Sequence, residues 1–311
     1  MTCRTARRLS VVGVLSLALV GMMPVAGSAS PRVVTAPPTS QAGTMYYLSL
    51  GDSLAQGFQP GFPGKIETLN GYSDKVVSYL TSQRKLVLKN FGCGGETSGW
   101  MLTLKSCAPH NRSLNSAIVP GETPMKAVLK FINAHRGHIG LITIAIGAND
   151  VVTNTSLTQT VANIKLICSQ LRLAVGKNVP MVGIGYDDPE LALWLQGSAN
   201  YSTVTSSIQQ IRNVMDPALM SAYQPSHVTF VDIAKDFQTY VPWTTTMTLA
   251  PYGTIPVAVA RICAYTWMCA IGNVHPTTLG YGVIASVIVG AYRQITHLPV
   301  PRGAAAPLAA T

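Results

Sequence analysis

Four short segments carry side chains that could cooperate in nucleophilic chemistry. Gly51-Asp52-Ser53-Leu54 offers a serine, and Gly92-Cys93-Gly94-Gly95-Glu96 offers a glycine-rich turn. Gly147-Ala148-Asn149-Asp150 offers a side-chain amide, and Asn273-Val274-His275-Pro276 an imidazole. A serine hydroxyl is a weak nucleophile until a base takes its proton, and imidazole titrates in the useful range. The tetrahedral intermediate that follows needs fixed donors around its oxyanion, each worth ~3 kcal/mol. Backbone N–H groups in a glycine-rich turn approach closely because no side chain intervenes, and the Asn149 amide supplies a further donor. Taken singly the signals are weak, since Gly-Asp-Ser favours turns and His-Pro starts helices. Their order and placement together carry the inference.

Positioning four such segments requires a framework. Short apolar runs at 45–50, 86–91, 140–146, 180–185 and 228–233 read as strands. They are apolar along their length rather than alternating, as strands covered on both faces are. Amphipathic runs at 72–83, 124–134, 156–175, 202–223 and 277–295 read as helices. Strand and helix in repetition predict a parallel sheet with right-handed crossovers, in which reactive groups gather at the carboxyl edge. The serine, the glycine-rich turn and the asparagine each follow a predicted strand, and the histidine precedes the last helix.

The chain has 311 residues, of which 48% are hydrophobic and 11% charged, so it can bury a large core and is not a solvating, disordered protein. A formal charge of +10 could attract nucleic acid, but the basic residues are scattered and not interleaved with aromatics, which sets that reading aside. Residues 1–29 read as a secretory signal peptide: Arg4, Arg7 and Arg8 precede an apolar run, and the small residues Ala26-Gly27-Ser28-Ala29 follow it. Residues 30–43 read as a proline-bearing flexible leader, 44–297 as one domain, and 298–311 as a low-complexity tail. In an exported chain cysteines pair. Proximity favours Cys93 with Cys107 and Cys263 with Cys269, although spacing does not fix connectivity. Cys168, in a helical pattern, reads as a buried thiol. With no CxxC pair and no HExxH, nothing argues for a bound metal. GxSxG is absent too, against an α/β-hydrolase fold. The carboxyls of Asp52 and Asp150 read as loop holders bonded to backbone N–H groups. Trp194, Trp243 and Trp267 fit an acyl pocket or plain packing equally well.

The four segments together resemble the SGNH or GDSL hydrolases, over nearly the whole domain from residue 46 to about 295. The segments 182–195 and 263–269 further resemble secreted actinobacterial members. The resemblance implies an α/β fold: a three-layer α/β/α sandwich with a five-stranded parallel sheet in flavodoxin-like order. It also implies hydrolysis of carboxylic esters, as an esterase or lipase, with no metal and no cofactor. Ser53 matches the nucleophile, His275 the general base, and Ser53, Gly95 and Asn149 the oxyanion donors. One position departs. The family usually carries Asp three residues before the histidine, and here Gly272 stands there, so the Gly272 main-chain carbonyl becomes the candidate for orienting His275. Relatives often have a cysteine after the Asn-Asp pair as partner for the one at Cys168. Its absence here implies a free Cys168 and two disulfides. The expected partner is an ester substrate, lipid or small acyl, for a secreted monomer with peripheral contact to a lipid or envelope surface. A carbohydrate acetylesterase is the alternative within the class. A non-catalytic envelope or binding protein on a hydrolase scaffold is the alternative outside it.

Overall fold

The computed structural model describes residues 43–62, 65–67, 69–104 and 107–300. The expected signal peptide, the leader up to residue 42 and the tail from 301 lie outside these residues.

Among the described residues nine strands are formed: β1 (Met45–Gly51), β2 (Phe58–Phe62), β3 (Lys65–Glu67), β4 (Leu86–Gly92), β5 (Ile139–Ala145), β6 (Met181–Ile184), β7 (Thr229–Val231), β8 (Thr246–Leu249) and β9 (Gly253–Pro256). Five make one sheet in the order β4-β1-β5-β6-β7, and every neighbouring pair is parallel. Counting only these five along the chain, the order is second, first, third, fourth, fifth, the flavodoxin-like arrangement the resemblance implies. Two antiparallel hairpins, β2–β3 and β8–β9, stand outside it.

Why the strands read as continuous apolar runs is plain from the layers. All seven residues of β5 are buried. On β1, Tyr47 packs into the core on one face, while Leu48 and Leu50 pack into the core on the other. Helices Tyr72–Leu80 and Thr278–Thr296 cover the first face with Val76, Leu80, Ile284 and Ile288. Helices Pro124–Ala134 and Leu157–Val175 cover the second with Val128, Ile132, Ile164 and Ile167. Each fully buried aliphatic side chain contributes about 1.5–3 kcal/mol, so both faces are held by the same term. Thr123, Ser156 and Thr277 cap their helices by accepting from the backbone N–H three residues on.

The predicted strands and long helices fall where the structure has them. Residues 202–223, read as a single helix, are interrupted: an α-helix Tyr201–Gln210 passes into a π-turn Ile211–Met215 and resumes as Asp216–Tyr223. Pro217, which has no N–H to donate, stands just after the irregular turn. The two hairpins and the helix Val257–Tyr265 are not among the predicted elements: each hairpin strand has at most five residues, too few to establish a period.

Candidate active site

The register of the sheet levels three strand ends. Gly51 of β1 lies opposite Gly92 of β4 and opposite Ala145 of β5. The segments that follow these residues therefore leave one edge side by side.

Gly51 has φ +136°, and a Cβ there would lie 1.8 Å from the Ala145 carbonyl oxygen. Only glycine allows the chain to turn so tightly against its neighbour. The Asp52 N–H then donates to Ala145 O at 2.9 Å, and the Asp52 carboxylate caps the short helix Ser53–Gln56 by accepting from Leu54 N–H at 2.9 Å. Ser53 is the first residue of that helix, and its N–H has no acceptor among the described residues. Tyr186 O–H donates to the other Asp52 oxygen at 2.6 Å. Burial pushes the Asp52 carboxyl up to about 7 against those bonds.

After β4 the chain makes a tight turn. Cys93 N–H donates to Gly51 O at 2.9 Å, Gly94 N–H to Asn111 O at 2.8 Å, and Glu96 N–H to Cys93 O at 3.1 Å. Gly95 sits at the corner with φ +78°, the left-handed region that glycine enters without cost, and its N–H has no acceptor among the described residues. The disulfide Cys93 – Cys107 anchors the turn, and Cys263 – Cys269 closes the second expected loop. Cys168 is free and fully buried, and burial pushes its thiol up to about 12, so it is an unreactive core residue.

Asn149 follows β5 in the helix Ala148–Val152. One of its amide N–H groups donates to Glu96 O at 2.9 Å, which aligns the amide beside the glycine turn and leaves the second N–H available. Asp150 is buried and accepts from Ser98 N–H at 2.8 Å and from the Ser98 hydroxyl. It thus ties the third strand's loop to the second's, the holding role expected of it. Sequence reasoning passed over Glu96. Its side chain is 0% exposed, neither carboxyl oxygen has a partner among the described residues, and burial with the nearby Asp52 charge pushes it up to about 8.

His275 precedes the last helix and is clamped from both sides: Trp267 N–H donates to His275 O at 3.0 Å, and Thr277 N–H to Tyr265 O at 2.8 Å. Its ring lies against Phe58, centroids 4.3 Å apart. Burial lowers its imidazole to about 4, so it is neutral, and able to accept a proton, at neutral pH. The expectation for Gly272 is corrected here. Gly272 is exposed, has φ +67°, and ends the short helix Met268–Ile271 with its N–H on Met268 O. The partner of His275 Nδ1 is instead the side-chain oxygen of Asn273, at 2.7 Å. An Asn two residues before the histidine reaches its ring.

Ser53, Gly95, Asn149 and His275 all line one cavity of about 920 Å³. Most of its exposed surface is apolar, with Val151 and Val152 beside Asn149 and with Ile211 and Met215 from the π-turn, while Asp52, Asp187, Asp188, Glu190 and Asp216 also line it. Trp194 and Trp243 pack against the core, and neither they nor Trp267 line the cavity. Among the described residues no group of His, Cys, Asp and Glu could hold a metal ion.

Comparison with known proteins follows this geometry. Residues 49–283 match the sequence profile of the GDSL-like lipase/acylhydrolase family. A search of curated proteins found no match. Among solved structures, an extracellular lipase from Streptomyces rimosus is 14% identical, with 81% of this chain and 100% of that chain covered and a TM-score of 0.44. A phospholipase A1 from Streptomyces albidoflavus NA297 is 15% identical, covering 81% and 99%, with a TM-score of 0.43. A psychrotrophic esterase from Pseudoalteromonas sp. is 14% identical, covering 81% and 98%, with a TM-score of 0.42.

Proposed function

The chain belongs to the GDSL-like lipase/acylhydrolase family, and on that premise we propose that it is a secreted serine hydrolase of carboxylic esters. Ser53 Oγ attacks the ester carbonyl carbon while His275 Nε2 takes its proton. The N–H groups of Ser53 and Gly95 and the second amide N–H of Asn149 hold the oxyanion. Collapse of the intermediate breaks the bond to the alcohol, which leaves with the proton held on Nε2. Water then adds to the acyl carbon and gives its proton to the same nitrogen. A second collapse releases the acid and returns the proton to Ser53.

One observation carries the reading above the others: four residues of complementary chemistry, from four distant segments, line a single cavity. The apolar wall favours an aliphatic acyl chain over a sugar. Two disulfides fit an oxidising compartment, and no described helix is long and apolar enough to cross a membrane.

Hydrolysis of p-nitrophenyl esters from acetate to palmitate, with Ser53→Ala in parallel, tests the proposal. Activity lost in the variant is the expected result, with the chain-length profile separating esterase from lipase. A folded wild-type protein that neither turns over any ester nor takes a covalent organophosphonate label would refute the serine mechanism and favour a silent scaffold.

A further inference from the structure

A general base works only if the correct ring nitrogen is bare. The family arrangement implied by the sequence uses a carboxylate three residues before the histidine, and this chain has Gly272 there. Some other group must therefore decide the tautomer of His275.

The turn that precedes the ring supplies it. Asn273 Oδ1 accepts from the His275 backbone N–H at 3.0 Å and lies 2.7 Å from His275 Nδ1. The backbone N–H is an obligatory donor, so the atom facing it must be the amide oxygen; rotating the amide would set an NH₂ group against an N–H. That oxygen carries no proton. Nδ1 must therefore hold one, and in the neutral ring Nε2 then keeps its lone pair. A single side-chain oxygen thus closes a local turn and reads out the ring, both from two residues away.

The orienting group is also uncharged. Phe58 covers the ring, and the flanking bonds to His275 come from backbone groups of Trp267 and from Asn273. The carboxyls that line the cavity are Asp52, Asp187, Asp188, Glu190 and Asp216. Of these Asp52 is held by Leu54 and Tyr186, Asp188 by Glu190 N–H and Ser207, and Asp216 by Tyr240. Burial alone, with no neighbouring charge, accounts for the low proton affinity of the ring.

We propose that Asn273 is the positioning residue of this site, a neutral replacement for the third member of a catalytic triad that fixes His275 as the Nδ1–H tautomer without an anion to stabilise the imidazolium. The inference rests on the proposed ester hydrolysis for its kinetic consequence, and on geometry alone for the tautomer. A carboxylate at the same place would pull the ring's proton affinity upward, by about one to three pH units for an opposite charge in contact. The amide gives orientation and leaves the ring easily deprotonated, so the base stays competent into acidic solution.

Three proteins test this: wild type, Asn273→Ala and Asn273→Asp, each assayed for kcat and KM across pH and by ¹⁵N NMR of the His275 ring. In the wild type the NMR shifts should report protonated Nδ1 and bare Nε2. Asn273→Ala should lower kcat by about 100- to 10,000-fold, the range a positioned base contributes, with KM little changed. Asn273→Asp keeps the acceptor for the backbone N–H, so it preserves the turn, and should move the acidic limb of kcat/KM upward by about one pH unit or more. An unmoved acidic limb in Asn273→Asp, wild-type kcat in Asn273→Ala, or a wild-type ring protonated on Nε2 would each overturn the inference. Should Asn273→Ala fail to fold, the Asp variant and the wild-type NMR decide alone. The NMR result also stands if no ester is turned over, so failure of the function and failure of the positioning role are distinguishable.

Discussion

Replacing Glu96 by Gln removes a carboxyl that the fold buries beside the glycine turn, with neither oxygen bonded among the described residues. The consequence for stability follows from linkage. In the unfolded chain this carboxyl ionises near its ordinary value of 4.5, and in the folded protein near 8. A group raised in this way favours folding below about pH 4.5, and that contribution is lost as pH rises from there through about pH 8. The interval between 4.5 and about 8, at about 1.4 kcal/mol per pH unit, sets a ceiling of about 5 kcal/mol. Local relaxation and water entry reduce it, so we expect about 2–4 kcal/mol. The Gln variant is neutral at every pH and has nearly the same shape. Urea denaturation of both proteins at pH 4, 6, 8 and 9, with disulfides intact, reads the difference directly. Asp187, whose shift comes from its own burial and Asp188, affects both proteins alike and cancels, whereas the Asp52 charge that acts on Glu96 is part of the measured difference. The two should be close at pH 4, with Glu96→Gln the more stable at pH 9 by the stated amount. Ester hydrolysis should follow, because an ionised Glu96 beside the proposed oxyanion donors would oppose the charge forming there, and the variant should hold its rate further into alkali. Stability curves that run parallel from pH 4 to pH 9 would refute the reasoning.

Two further predictions use the geometry of the same turns. Gly51→Ala places a Cβ 1.8 Å from the Ala145 carbonyl oxygen, and should cost at least about 3 kcal/mol or prevent folding. Gly95→Ala meets nothing within 4 Å, so only the left-handed backbone cost of about 1–2 kcal/mol applies; thermal unfolding of the pair checks the contrast. Removing the Cys93 – Cys107 bridge by a double Cys→Ser change opens a loop with sequence separation 14 and should lower stability by about 3 kcal/mol. Because the bridge anchors the turn bearing Gly95, kcat should fall as well, measured on one ester below the unfolding temperature.

Much of the framework can be read without coordinates. Strands buried on both faces must be apolar almost throughout, so β1 and β5 announce themselves, and the helices between them carry the period of a single covered face. Glycine after a strand, followed by Asp-Ser, marks a turn into a helix because few residues tolerate that geometry. What resisted reading were elements without a period of their own. Hairpins β2–β3 and β8–β9 stand outside the main sheet, and the π-turn at Ile211–Met215 differs from its flanking helix by a single hydrogen-bond step. Glu96 gave no signal at all, since a glutamate beside a glycine turn is ordinarily solvated.

The sequence by itself determined which chemistries were available: a serine, an imidazole, an amide and a glycine turn, each tied by local rules to a strand end or a helix start. Folding alone decided how they meet. The common level of Gly51, Gly92 and Ala145 is set by hydrogen-bond register between strands far apart in the chain, and register is a property of pairs. The orientation of His275 was likewise beyond reach, because Gly272 and Asn273 are both adjacent in sequence and offer similar oxygens. Their backbones separate them. Gly272 takes the left-handed cap of one short helix, while Asn273 begins the turn that the Trp267 and Thr277 backbone bonds hold in place, and only the second brings its oxygen onto the ring.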